Sequence, residues 1–186
     1  MLELMIVVGI GITVAAFAIP IFMNAYYDIR LKSAASNLSG FFQKARIQAA
    51  RQNATYSIGY QAVNGAEEAY IDLNLNGRWD AGEPLITFNP SIIPATGAPS
   101  GTGGTPTPYV LVGDTAGVVY DNATTLAYSP RGLPCAYIAG ACATPAAGYF
   151  VYYLKDQRQN GTGWAAVIVT RSGRTKVSTW SGTSWN

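Results

Sequence analysis

LELMIVVGIGITVAAFAIPIFM, residues 2–23, carries a single ionisable side chain, Glu3, in a run that is otherwise apolar, small or uncharged. As a helix rising about 1.5 Å per residue, roughly 23 residues reach about 35 Å, enough to cross the hydrocarbon of a bilayer. Such a segment is at home among lipid tails or among other helices like itself. A secretory signal peptide is one competing reading, but signal peptides open with a basic region and have a shorter apolar stretch before a small-residue cleavage site. No Lys or Arg precedes this run, and helical periodicity continues beyond it. A plain single-pass anchor is the stronger rival.

Past Pro20, Leu31, Ala34, Leu38, Phe41, Phe42, Ala45 and Ala49 recur at three- and four-residue steps. Arg30, Lys32, Ser36, Gln43, Lys44, Arg46, Gln48 and Arg51 fall between them, the pattern of an amphipathic helix. It is expected to stop near Gln52–Asn53, and Pro20, which removes one backbone hydrogen bond, is expected to bend or loosen it. The outcome is one helix of about 50 residues, roughly 75 Å long. Its apolar half, 1–24, projects, while its amphipathic half, 25–53, packs on a domain.

Residues 54–186 read as a β-rich head. TYSIGY (55–60), AYIDL (69–73), PLITF (84–88), YVLVG (109–113), GVVYD (117–121), TLAYS (125–129), YFVYYL (149–154), WAAVIV (164–169) and KVSTW (176–180) are rich in β-branched and aromatic residues. Gly-containing pairs such as NG at 64–65 and 76–77, RG at 131–132 and SG at 172–173 separate them. The Pro/Gly/Thr-rich segment 89–108 reads as an exposed loop. A β-rich head on a long helix is an α+β arrangement.

Of 186 residues only 12% are charged, and the net charge of +2 is unevenly spread. Residues 1–53 hold five bases and two acids, 54–150 two bases and seven acids, and 151–186 five bases and one acid. That is too weak for a dedicated nucleic-acid binder judged on charge alone. There is no histidine, which excludes His-based triads and His metal sites, and no serine has an evident lysine partner. Cys135 and Cys142, in CAYIAGAC, are expected to pair and close a small loop, which puts the head in an oxidising compartment; two reduced thiols are the alternative.

The first twenty residues resemble the mature N-terminus of type IV pilins and pseudopilins, with Glu3 at the place of the family's near-invariant glutamate and Pro20 at that of its helix-bending proline. The resemblance implies a pilin-like fold and assembly through the N-terminal helix. In it the carboxylate, costly alone in an apolar setting, meets the terminal amine of a neighbouring subunit. The family's mature chain starts two residues before Met1 with Phe-Thr or similar, after a basic leader cut by a prepilin peptidase that methylates the new amine. Neither leader nor Phe stands in this sequence. KARIQAARQNATYSIGY, YIDLNLNGRWDAGEPLITF, LAYSPRGLP and VIVTRSGRTKV are similar to segments of the FimT/GspH group of minor pilins and pseudopilins.

Two further constellations carry chemistry. In DLNLNGRWDAGE, Asp72, Asn74, Asn76, the Arg78 carbonyl, Asp80 and Glu83 have the spacing of a calcium loop, with Gly77 at its sharp turn. The flanks read as strands, so a metal-free hairpin built on turn chemistry is the alternative. RSGRTKV carries Arg171, Arg174 and Lys176, and its Gly173, Arg174 and Lys176 resemble a basic motif that FimT-like minor pilins carry and that is associated with DNA binding, Lys standing for the second Arg. The alternative is a polar turn between two strands.

The expectation is therefore a non-enzymatic structural subunit of a type IV pilus or a type II secretion pseudopilus. It would be held in the cytoplasmic membrane before assembly, head outside the cytoplasm, with other pilins, the inner-membrane assembly machinery and prepilin peptidase as partners. A DNA-binding minor pilin and a lone membrane-anchored extracytoplasmic domain remain as alternatives.

Overall fold

The computed structural model describes residues 2–95, 97–99, 106, 119–120, 124–143, 148–159 and 162–186. The one α-helix among the described residues, α1 (Leu2–Gln52), runs unbroken through Pro20. Proline removes a single amide from the ladder while the turns on either side keep theirs. The helix ends where Asn53 takes a φ of 51° and the Ala54 amide reaches back to the Ala49 carbonyl at 3.1 Å. This is a Schellman stop, with Asn in the left-handed conformation that its short polar side chain tolerates.

Eleven strands follow among the described residues: β1 (Tyr56–Val63), β2 (Ala66–Asp72), β3 (Leu85–Thr87), β4 (Ile92–Ala95), β5 (Val119–Tyr120), β6 (Leu126–Tyr128), β7 (Pro134–Ile138), β8 (Ala141–Ala143), β9 (Tyr149–Asp156), β10 (Trp164–Thr170) and β11 (Thr175–Thr179). One sheet has the order β3-β2-β1-β6-β7-β8 and is antiparallel throughout. The other has the order β11-β10-β9-β4, with β5 joining β9 in parallel. The molecule is α+β, with one long N-terminal helix and two mostly antiparallel sheets.

Two sequence expectations need correction. Residues 92–95, inside the segment read as a loop, are a strand: β4 pairs Ile92 with Asp156 and Pro94 with Leu154. Proline is acceptable there because β4 has a partner on one side only. The cysteine segment is not a bare loop but the β7–β8 hairpin. Of the other predicted strands, 109–113 lies outside the described residues, as does all of 117–121 except β5.

Leu31, Ala35, Leu38, Phe42, Ala45 and Ala49 form the buried row of α1, at alternating steps of four and three, with Ala34 half-buried at its flank. This row meets Ile58, Tyr128, Phe150, Tyr152, Val167 and others in the main core, where Phe42 packs edge-on to Tyr152 at 5.1 Å between ring centroids. A second apolar cluster, Tyr149, Val151, Tyr153, Ala166 and Ile168, lies on the other face of β9 and β10. Both strands are thus buried on both faces, which explains why YFVYYL and WAAVIV are near-continuous apolar runs rather than alternating ones.

Candidate functional site

The apolar half of α1 has no cover among the described residues. None of its most apolar stretch is buried, and Met5, Phe17, Ile21 and Phe22 are between 70% and 75% exposed. By length and composition this helix can span a membrane. Each large side chain would gain roughly 1.5–3 kcal/mol on burial, so a face this extensive calls for lipid or another apolar surface. Glu3 is exposed in the first turn, where the free amides of the helix start favour a negative charge. Pro20 lies within α1, and Met1 is outside the described residues.

At the opposite end of α1, one side chain gathers several motifs. Arg46 donates from Nε to the Gly132 carbonyl at 3.0 Å and from Nη1 to the Gly173 carbonyl at 3.1 Å. Both glycines close turns of the same design. In one the Gly132 amide bonds the Ser129 carbonyl and the Ser129 amide bonds that of Leu133; in the other Gly173 bonds Thr170 and Thr170 bonds Arg174. These are three-residue hairpin loops whose last position is left-handed, and Gly132 and Gly173 have φ of 71° and 80°. A Cβ on Gly173 would also come within 2.9 Å of the Arg46 guanidinium. SPRGLP, RSGRTKV and the helix motif KARIQAARQ, far apart in sequence, therefore meet at one point.

This fixes the basic turn. Thr175 bonds Ser39, and Gln43 donates to the Gly173 carbonyl at 2.9 Å, so Thr175 faces α1. Strand alternation then puts Arg174 and Lys176 on the side away from α1. Arg171 and Arg174 are exposed, and Lys176 is half-buried opposite Ile168.

The stretch 72–83 joins β2 to β3, strand to strand, with no helix on either side. Its oxygens face inward on the loop's own donors. Asp72 accepts from the amides of Asn76 and Gly77, Glu83 from those of Leu73 and Asp80, and Asp80 from the side-chain amides of Asn74 and Asn76. The Asn76 side-chain oxygen takes the Arg78 amide. Among the described residues, no three His, Cys, Asp or Glu side chains form a group that could hold a metal ion.

Cys135 and Cys142 form a disulfide across the β7–β8 hairpin, with Cα atoms 5.4 Å apart. The hairpin turns at Ala139 and Gly140, both with positive φ.

Where α1 leaves the head, a cluster that sequence reasoning did not single out holds the two together. Gln159 donates to Asp28 at 2.8 Å, and the Arg158 guanidinium lies 4.2 Å over the Tyr27 ring. Arg158 forks onto Asp156 at 3.0 and 2.7 Å. Burial pushes the Asp156 carboxyl up, but hydrogen bonds and charge from Arg158, with a hydrogen bond from Ser91, outweigh it and hold the group below its ordinary value. No short-range pattern could have shown this, since the helix and loop partners are 131 residues apart. Set beside known proteins, the chain matches no family model, no curated protein and no solved structure.

Proposed function

We propose that this protein is a pilin-like structural subunit that polymerises through the apolar half of α1 into a type IV pilus or a type II secretion pseudopilus. The observation that carries the reading is a single helix with two fates: residues 31–49 seal the head's core, while residues 5–19 and 21–23 are left uncovered. A bilayer would hold the uncovered half before assembly, and equivalent halves of neighbouring copies would replace the lipid in the fibre. Glu3, alone in that apolar setting, is the group suited to fix the stagger between copies. The role is architectural rather than catalytic.

Glu3→Ala and Glu3→Leu variants should reach the membrane normally and lose filament yield by about tenfold or more, since an unpaired intramembrane charge is worth at least that factor. Yield is read by shearing cells, imaging the filaments and identifying their main chain by mass spectrometry. Undiminished assembly would refute the proposal, and isolated membrane monomers without filaments would favour an anchored extracytoplasmic domain. A second reading, a minor subunit that retains DNA, is favoured by the exposure of Arg171 and Arg174 on the β10–β11 turn. It requires salt-dependent DNA retention that Arg174→Ala, Lys176→Ala removes.

A further inference from the structure

We infer that the underside of the head rests on an anionic phospholipid surface around the exit of α1, which presupposes that residues 2–23 enter a membrane. The apolar run ends at Met23, and α1 then carries Tyr26, Tyr27, Arg30 and Lys32. Arg30 lies 4.7 Å over the Tyr26 ring, as Arg158 lies over Tyr27. The head descends to the same level. Asp28, Lys32, Thr162, Trp164 and Trp180 line one shallow hollow of about 260 Å³, and the Lys155 ammonium sits 5.4 Å from the Trp164 ring.

Long cations and amphipathic rings at one level are what the boundary between hydrocarbon and water selects. The rings settle among headgroups, and the cations reach phosphates from apolar stems. Charge points the same way. Arg30, Lys32, Lys155 and Arg158 are the bases of this collar against two acids, Asp28 and Asp156; Arg158 is paired with Asp156, and Arg30, Lys32 and Lys155 outnumber Asp28, so the collar is net positive. Gln159 and Arg158 also fix the height of the head, because they join it to α1 within one or two turns of the end of the apolar run. A cation held at an anionic surface contributes roughly a fivefold gain in association.

The test uses the full chain carrying Trp79→Phe, which leaves only tryptophans of the collar side, reconstituted in vesicles of phosphatidylcholine alone or mixed with phosphatidylglycerol. Flotation reports insertion of α1, and quenching of tryptophan by lipids nitroxide-labelled at the headgroup reports head contact. Flotation should be equal in both vesicle types, with quenching clearly stronger in the anionic ones and the excess reversed by high salt. An Arg30→Gln, Lys32→Gln, Lys155→Gln variant keeps the Arg158–Asp156 pair and should float unchanged while association of the head falls on the order of a hundredfold. Equal quenching on neutral vesicles, or no effect of the triple variant, overturns the inference while leaving insertion intact. Quenching set by protein density instead of lipid charge overturns it in favour of a second copy covering the collar. A chain that fails to float overturns the membrane reading and this inference together.

Discussion

Arg46 ties together three segments that lie far apart in the sequence. Its guanidinium presents two donors in a fixed fork, and the two glycine carbonyls lie at their ends. Arg46→Ala should cost about 2–3 kcal/mol in urea unfolding, since hydrogen bonds from charged donors contribute about 1.5–3 kcal/mol each and part is recovered by water. Arg46→Lys should recover less than half, because one ammonium cannot span both carbonyls. Asp156 gives the chain an acid limb. Its folded value is depressed below the unfolded value of about 3.9, so the stability it confers is complete above that pH and is lost as pH falls through the folded value. Melting temperatures measured from pH 6 downward should therefore decline below about pH 4, and Asp156→Asn should flatten that decline. Side chains of this kind were the least legible from sequence. Arg46 reads as one more polar position between apolar ones, and its partners lie 86 and 127 residues away.

The elements were more legible, for reasons that differ between them. The long helix announces itself by an apolar run followed by three- and four-residue recurrence, and Asn53 does stop it, through a left-handed turn. β9 and β10 were visible because strands buried on both faces concentrate β-branched and aromatic residues. β4 was hidden by Pro94 and by the low complexity around it, although a strand paired along one side can accept proline. The β7–β8 hairpin was hidden because Ala139 occupies a turn position that usually goes to Asn, Asp or Gly. That suggests an improvement: Ala139→Gly should raise stability by about 0.5–1 kcal/mol, by relieving an L-residue of a left-handed conformation, partly offset by the greater freedom glycine gives the unfolded chain. Thermal melts of the disulfide-bonded protein would show it as an upward shift, and no shift or a fall would reject the account.

At the scale of the whole molecule, the apolar half of α1 contributes nothing to the head's core. A chain lacking residues 1–24 should melt within about 2–4 °C of the full-length protein in mild detergent, a shift of about 1 kcal/mol or less. It should also no longer need the detergent to remain dispersed. A larger fall would mean that the projecting half stabilises the head in some way its exposure does not suggest. The composition foretold this division through the concentration of apolar residues before Met23 and of charge after it. The collar at the junction was not foretold, because its members come from α1, the end of β9 and the segment after it, the start of β10 and the residue after β11.

The two attachments of α1 to the head have a mechanical consequence. Gln159 grips the helix at Asp28 and the two glycine turns grip it at Arg46, about 27 Å apart along the axis at about 1.5 Å per residue. A pull on the free end of α1 is therefore resisted in shear along the whole packed row rather than peeled off from one end, like a strap buckled at both ends. Stretching single molecules between the N-terminal end and the head should give one abrupt rupture, and Arg46→Ala should lower its force and make the release gradual.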